Sequence, residues 1–149
     1  AAAAAAVDLA VAAPLFAALA AWHGASPGAA ILLVPVLLAV TACNALGFGL
    51  WFSALTVRYR DVQHALPFLI QLWMFATPVI YPSSLLGPRS PWLLLNPMTG
   101  VIEASRAALL GNTPVPWGPL GVSAAAGLAA LLSGALYFRQ AERRFADVI

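Results

Sequence analysis

The densest polar cluster of the chain is the tetrapeptide Arg58-Tyr59-Arg60-Asp61, which stands between two long apolar stretches. Its simplest interpretation is that positive charges hold a loop on the cytoplasmic side of a membrane. Two arginines, a tyrosine and an aspartate within four residues exceed what topology needs. Arg60 and Asp61 are therefore also candidates for holding a fixed local structure or for facing a cytoplasmic partner.

A second group of candidate residues lies in the apolar segment 66–82, which carries Gln71, Trp73, Phe75 and Tyr81. Aromatic rings and amides grip sugars by stacking and hydrogen bonding. The same side chains also pack membrane helices against each other. Spacing alone favours packing for most of them, so both interpretations stay open.

A third group lies on a predicted helix over 97–110. Asn96 suits the N-cap of this helix and Pro97 its first position. The helix would be about 20 Å long, too short to span a bilayer. Glu103 and Arg106 are three residues apart, so they share a face and can pair. The segment either dips into the outer leaflet or is an ordinary surface helix with a solvated ion pair.

The composition indicates that these residues lie on segments that are embedded in a membrane. Of the 149 residues, 62% are hydrophobic and only 8% are charged, whereas a soluble domain is roughly half apolar and about a quarter charged. This excludes an ordinary soluble globule and a disordered tail. The net charge of +2 forms no basic patch, so no nucleic-acid partner is expected.

Four apolar runs predict an all-α membrane protein with four transmembrane helices and a short external re-entrant or interfacial helix. A spanning helix needs about 20 apolar residues. Pro78 predicts a kink in the third run. The chain is expected to be one transmembrane fragment, the C-terminal part of a longer membrane protein. Its predicted spans are 1–22, 30–55, 66–82 and 117–138, followed by a tail over 139–149.

The arginines predict the orientation of these spans. Four crossings place the 56–65 loop and the tail on the same side, which then carries Arg58, Arg60, Arg139, Arg143 and Arg144. The opposite side carries only Arg89 and Arg106. By the positive-inside rule, the chain enters from the cytoplasm and the C-terminus is cytoplasmic.

Catalysis by this chain is not expected. The sequence contains no glycine-rich phosphate loop and no metal-ligand spacing, and its one cysteine, Cys43, lies in an apolar run. An intramembrane enzyme would need an acid–base pair near one interface, and only Asp61 with His64 comes close. An ion-coupled carrier would need charged residues in mid-span, and the runs 30–55, 66–82 and 117–138 contain none.

The order of several short motifs strongly resembles the membrane subunit of bacterial polysaccharide ABC exporters. Each motif alone is weak, whereas together and in register they are specific. Thr56 stands where that family usually has Asn. The motifs are Leu55-Thr-Val-Arg-Tyr-Arg-Asp-Val62, Leu66-Pro-Phe-Leu-Ile-Gln-Leu-Trp73, Thr77-Pro-Val-Ile-Tyr-Pro82, Leu95-Asn-Pro-Met98, Glu103-Ala-Ser-Arg106 and Glu142-Arg-Arg-Phe-Ala-Asp-Val-Ile149.

The resemblance implies a permease that moves lipid-linked O-antigen, teichoic acid or capsular chains across the bacterial inner membrane. Such a permease has six spans, of which this chain would supply the third to the sixth. It works as a homodimer with two ATP-binding subunits. ATP and Mg²⁺ would bind on that partner, with no cofactor in this chain. Related permeases export drugs or other lipids, and that cargo remains an alternative.

The resemblance also implies roles for the three groups of residues. The segment 97–110, with Asn96, Glu103 and Arg106, would belong to short helices that gate the channel from outside. Trp73, Phe75 and Tyr81, with Gln71 on the same span, would lie along the path of the sugar chain. The loop Arg58, Tyr59, Arg60 and Asp61 would lie at the cytoplasmic end, near lipid headgroups and the ATPase.

Overall fold

The computed structural model describes residues 2–24, 29–81, 95–111 and 113–146, and within these ranges the ordered elements are helices. A 3-10 helix over Ala29–Leu33 leads directly into the second α-helix. The α-helices are α1 (Ala2–Trp22), α2 (Val34–Arg58), α3 (Val62–Ala76), α4 (Thr99–Leu110) and α5 (Trp117–Ala146).

Two helical segments, Ala29–Arg58 and Trp117–Gln140, are long and apolar enough to cross a membrane. They cover the predicted spans 30–55 and 117–138. A 30-residue helix such as α5 is about 45 Å long, so it continues from the predicted span into the predicted tail. Residues 147–149 of that tail lie outside the described part. The count of four spans stays a prediction.

The helices α2 and α5 form the central pair of the fold, and small residues bring their backbones together. A Cβ atom added to Gly47 would lie 2.6 Å from the Leu131 backbone nitrogen. A Cβ atom on Gly134 would lie 2.8 Å from the Gly47 carbonyl oxygen. Close contact between small residues is how membrane helices gain van der Waals energy where burial from water offers none. Gly47 and Gly134 therefore lie at a close contact between α2 and α5.

The helix α3 differs from the predicted run 66–82. It begins at Val62 and ends at Ala76, so Pro78 terminates the helix rather than kinking it. The cause is local, because a residue that precedes proline is pushed out of the α region. Thr77 accordingly adopts φ −93° and ψ 134°. The 15-residue helix is about 22 Å long, shorter than the roughly 30 Å hydrocarbon core.

The predicted loop over 56–65 shrinks to a tight turn. The helix α2 continues through Arg58, and α3 starts at Val62, so only Tyr59, Arg60 and Asp61 lie between them. The Val62 amide donates to the Tyr59 carbonyl oxygen at 3.1 Å, which closes the turn. The two helices are therefore held side by side at this end.

The helix α4 begins at Thr99, two residues later than predicted, and packs against α5 and the 3-10 helix. Asn96 acts before the helix, where its Oδ1 accepts from the Met98 amide at 3.0 Å. Buried residues recur along α4 every three to four positions, as expected for one face of an amphipathic helix. The buried residues are Thr99, Gly100, Val101, Ala104, Ala107 and Ala108.

Candidate functional site

The turn between α2 and α3 borders a cavity of about 670 Å³ that contains both of its arginines. Tyr59 and Asp61 are exposed and do not line this cavity. The Arg58 guanidinium carbon lies 5.5 Å from the centroid of the Tyr59 ring, a cation–π distance. The other lining residues are Gly49, Phe52, Ser53, Thr56, Val57, Gln63 and Leu66. Two arginines therefore contribute to the lining of one opening between the helices.

A second cavity of about 340 Å³ lies between the same helices, further from the arginines. Trp73 forms one of its walls and meets Phe48 of α2 edge-on, with ring centroids 5.4 Å apart. Its other lining residues are Thr41, Asn44, Ala45, Phe52, Leu69, Ile70, Met74 and Met98. The lining is almost wholly apolar, so this cavity suits a hydrocarbon or an aromatic surface.

Of the four residues predicted on the sugar path, only Trp73 lines this cavity. Gln71 and Phe75 are exposed on other faces of α3, and Tyr81 is half-buried after the helix. The structure thus does not gather the four into one site within the described residues. Their role in sugar binding remains a prediction.

The polar residues predicted for the external helix tie α4 to the end of α3. Asn96 donates from Nδ2 to the Thr77 hydroxyl at 2.7 Å and to the Ala76 carbonyl oxygen at 3.4 Å. Arg106 donates to the carbonyl oxygens of Pro78 and Val79 at 3.3 and 3.4 Å. The Ala76 carbonyl at the end of α3 lacks an intrahelical partner, and Asn96 supplies one. Arg106 instead binds carbonyl oxygens of the residues that follow the helix.

This arrangement replaces the predicted pairing of Glu103 with Arg106. The guanidinium group of Arg106 turns to the backbone after α3, and Glu103 stays partly buried on α4. Arginine suits this task because its planar fork carries several donors. The link also depends on Thr77, whose hydroxyl in turn bonds to the Trp73 carbonyl at 2.7 Å.

Sequence reasoning missed Ser123, which makes polar contacts between α5 and its neighbours. The Ser123 hydroxyl accepts from the Gly100 amide at 3.1 Å, and the Ser123 carbonyl accepts from Asn44 Nδ2 at 3.3 Å. Asn44 Oδ1 is buried without a partner. The signal that could have found this contact is the series of small residues Ser123, Gly127 and Gly134 on one face of α5.

A second missed contact joins α2 and α5 closer to the arginine cavity. Trp51 stacks on Tyr137 with centroids 4.9 Å apart and donates from its ring nitrogen to the Ser133 hydroxyl at 3.1 Å. Within the described ranges, no three His, Cys, Asp or Glu residues are placed to hold a metal ion. Asp61 and His64 are exposed at the start of α3.

The apolar helices, their contacts through small residues and the positively charged turn define the class as an integral membrane protein with helical spans. Comparison with known families specifies this further. The chain belongs to the ABC-2 type transporter family, whose profile matches residues 2–110. The family resemblance inferred from the sequence motifs is thereby confirmed.

The curated relatives carry a more specific description. An O-antigen export system permease protein RfbA from Myxococcus xanthus is 31% identical over 139 residues, which cover 91% of this chain and 54% of the relative. An RfbA protein from Klebsiella pneumoniae is 22% identical over 117 residues, covering 78% and 45%. The chain thus spans about half the length of the curated relatives it matches. No solved structure matches it significantly.

Proposed function

We propose that the chain is part of the membrane-spanning subunit of an ATP-driven exporter that moves lipid-linked, O-antigen-like polysaccharide. The observation that carries this proposal is the 31% identity to an O-antigen export permease across 91% of the chain. A permease for another lipid or drug cargo is the alternative. An ion-coupled carrier is disfavoured because the apolar runs 30–55, 66–82 and 117–138 contain no charged residue.

The proposed arrangement follows the topology argued from the arginines. The chain supplies the third to the sixth of six spans in the bacterial inner membrane, with Arg58–Asp61 and the C-terminus on the cytoplasmic side. The helix α4 then lies at the outer side as a gate element. Its polar links to the segment after α3 support a coupled movement of these two elements.

The proposed partners are an ATP-binding subunit and a second copy of the permease. Aromatic side chains exposed on more than one face of α3 support a path that other spans or a second copy of the permease would complete. Phe68, Trp73 and Phe75 are 65, 41 and 56% exposed on this helix. In a dimer such rings would border a path wide enough for a sugar chain, on which Gln71 and Tyr81 are further proposed contacts.

The test is isolation of the intact protein from its native membrane in a mild detergent. We expect an ATP-binding subunit to co-purify in stoichiometric amount, and ATP hydrolysis to rise when lipid-linked polysaccharide is added. A permease that purifies alone from a preparation with intact complexes would contradict the proposal. Stimulation by a different lipid or drug, but not by the polysaccharide, would select the alternative cargo.

Substitution Arg60→Ala is expected to lower polysaccharide export about fivefold, which corresponds to the roughly 1 kcal/mol that one arginine contributes near an anionic membrane surface. The measurement is surface polysaccharide on gels, normalised to permease in the membrane fraction. Arg139→Ala is the matched control, since it removes an exposed arginine on the same proposed side. Unchanged export by Arg60→Ala at a normal permease level would contradict this prediction.

A further inference from the structure

The two cavities between α2 and α3 are adjacent, because Phe52 lines both of them. The arginines line one cavity, and Phe48 and Trp73 line the other. We call the two cavities together the α2–α3 groove. Its two parts differ in chemistry, because one is lined by Arg58 and Arg60 and the other by aliphatic and aromatic side chains.

The charged end of the α2–α3 groove has an excess of positive charge. Arg58 and Arg60 line it, whereas the neighbouring carboxylate of Asp61 does not. The Thr56 hydroxyl donates to the Phe52 carbonyl at 2.8 Å. The other lining residues with side-chain donors are Ser53, Arg58, Arg60 and Gln63. Guanidinium groups match phosphate oxygens in geometry and charge. The chemistry that fits this end is therefore a phosphate group.

The apolar end of the groove lies at hydrocarbon depth. Its wall on α2 runs from Phe52 to Thr41, about 9 to 26 Å along the helix from Arg58. This range falls inside a hydrocarbon core of about 30 Å. Asn44 directs its amide nitrogen to Val40 and Ser123, toward α5. A ligand at this end is therefore met mainly by apolar surface.

The groove is open to its surroundings along α3, whose Leu69 and Ile70 are 45 and 62% exposed. We propose that the α2–α3 groove binds one anionic phospholipid of the bilayer. Its phosphate lies at Arg58 and Arg60, and one acyl chain lies past Phe52 against Trp73. The arginines at one end match a charged headgroup, and the apolar lining at the other end matches an acyl chain. A single lipid molecule carries both of these groups. A soluble phosphate would leave the apolar end empty. This inference holds for any cargo and goes beyond the proposed export function.

The test is native mass spectrometry of the intact protein in detergent, titrated with phosphatidylglycerol, phosphatidylcholine or polyprenyl phosphate. We expect the first phosphatidylglycerol to bind about tenfold more tightly than phosphatidylcholine, in line with the attraction of nearby arginines for anionic lipid. The double variant Arg58→Gln/Arg60→Gln is expected to abolish this preference. Arg139→Gln is the matched charge control and is expected to retain it.

A second variant fills the charged end of the groove without removing charge. A Cβ atom on Gly49 meets nothing within 4 Å, and Gly49 lines the groove, so Gly49→Leu fills it without a backbone clash. We expect this variant to lose the tight phosphatidylglycerol while remaining monodisperse and helical. Gly121→Leu, at an equally open position on α5, is expected to bind lipid as the unaltered protein does.

Three results would overturn the proposal. The first is an unchanged preference for phosphatidylglycerol in the arginine double variant, which would place the headgroup elsewhere. The second is tight binding retained by Gly49→Leu, which would show that the lipid does not occupy the charged end of the groove. The third is binding of polyprenyl phosphate more tightly than phosphatidylglycerol, which would assign the groove to a carrier lipid. None of these measurements requires export or ATP hydrolysis, so they stand apart from the test of the proposed function.

Discussion

Gly100→Ala is expected to displace α4 from α5 and to abolish export. An added Cβ would overlap the backbone carbonyl of Pro119 and lie 2.6 Å from the Ser123 hydroxyl. That hydroxyl accepts the hydrogen bond of the Gly100 amide, so displacement also leaves a buried donor without a partner. Overpacking costs about 1 to 3 kcal/mol, and an unsatisfied buried donor about 1 to 3 kcal/mol more.

The measurement for Gly100→Ala is the unfolding free energy in a mixed detergent titration, together with surface polysaccharide in cells. The matched control is Gly121→Ala, where the added Cβ meets nothing within 4 Å. We expect the control to unfold as the unaltered protein does and to export normally. A Gly100→Ala protein with unaltered stability would show that α4 and α5 are not packed as closely as the structure has them.

The pair Gly47→Ala and Gly49→Ala is expected to change stability in opposite directions. At Gly47 the Cβ would lie within 2.6 to 2.9 Å of Leu131 and Ala130, mostly against backbone that cannot move aside. We expect a loss of about 2 kcal/mol, within the range for overpacked interiors. At Gly49 the added methyl group meets nothing within 4 Å, and alanine is the better helix former by about 1 kcal/mol.

Gly47 and Gly49 are two residues apart on α2, so lipid depth and helix context are nearly the same for both. The unfolding midpoint of each variant, measured in the same detergent series, compares the two positions directly. Equal shifts for both variants would contradict the α2–α5 contact described above. A loss confined to Gly47→Ala would agree with close packing of that face of α2.

The contrast between Pro67 and Pro78 shows how far sequence patterns reach at the ends of helices. Both prolines lie in the apolar run, yet α3 contains Pro67 and ends before Pro78. The prediction of a kink at Pro78 was wrong because Thr77, the residue before this proline, leaves the α region and the helix ends. Asn96 and Arg106 then donate to the carbonyl oxygens of Ala76 and Pro78, from 20 and 28 residues further along the chain. Such contacts are invisible in a local pattern.

The candidate site residues also separate what the local sequence indicates from what tertiary contacts decide. Trp73 was singled out from its type, and the structure places it in a cavity, but Gln71 and Phe75 of the same group lie on other faces of α3. The arginines at 58 and 60 were singled out as a loop, whereas the structure places both in the lining of a cavity between α2 and α3. Residue type thus indicated the available chemistry, and helix packing decided which side chains share a space.

The sequence by itself determined that this protein is helical and membrane-embedded, and it predicted spans over 30–55 and 117–138 that the structure has as Ala29–Arg58 and Trp117–Gln140. The physical reason is that a bilayer imposes its requirement locally, since about 20 consecutive apolar residues must satisfy their own backbone. Only the tertiary structure decided that Phe52 lines both the cavity that contains the arginines and the apolar cavity. That outcome depends on how α2 and α3 lie against each other, and no spacing along a single helix encodes it.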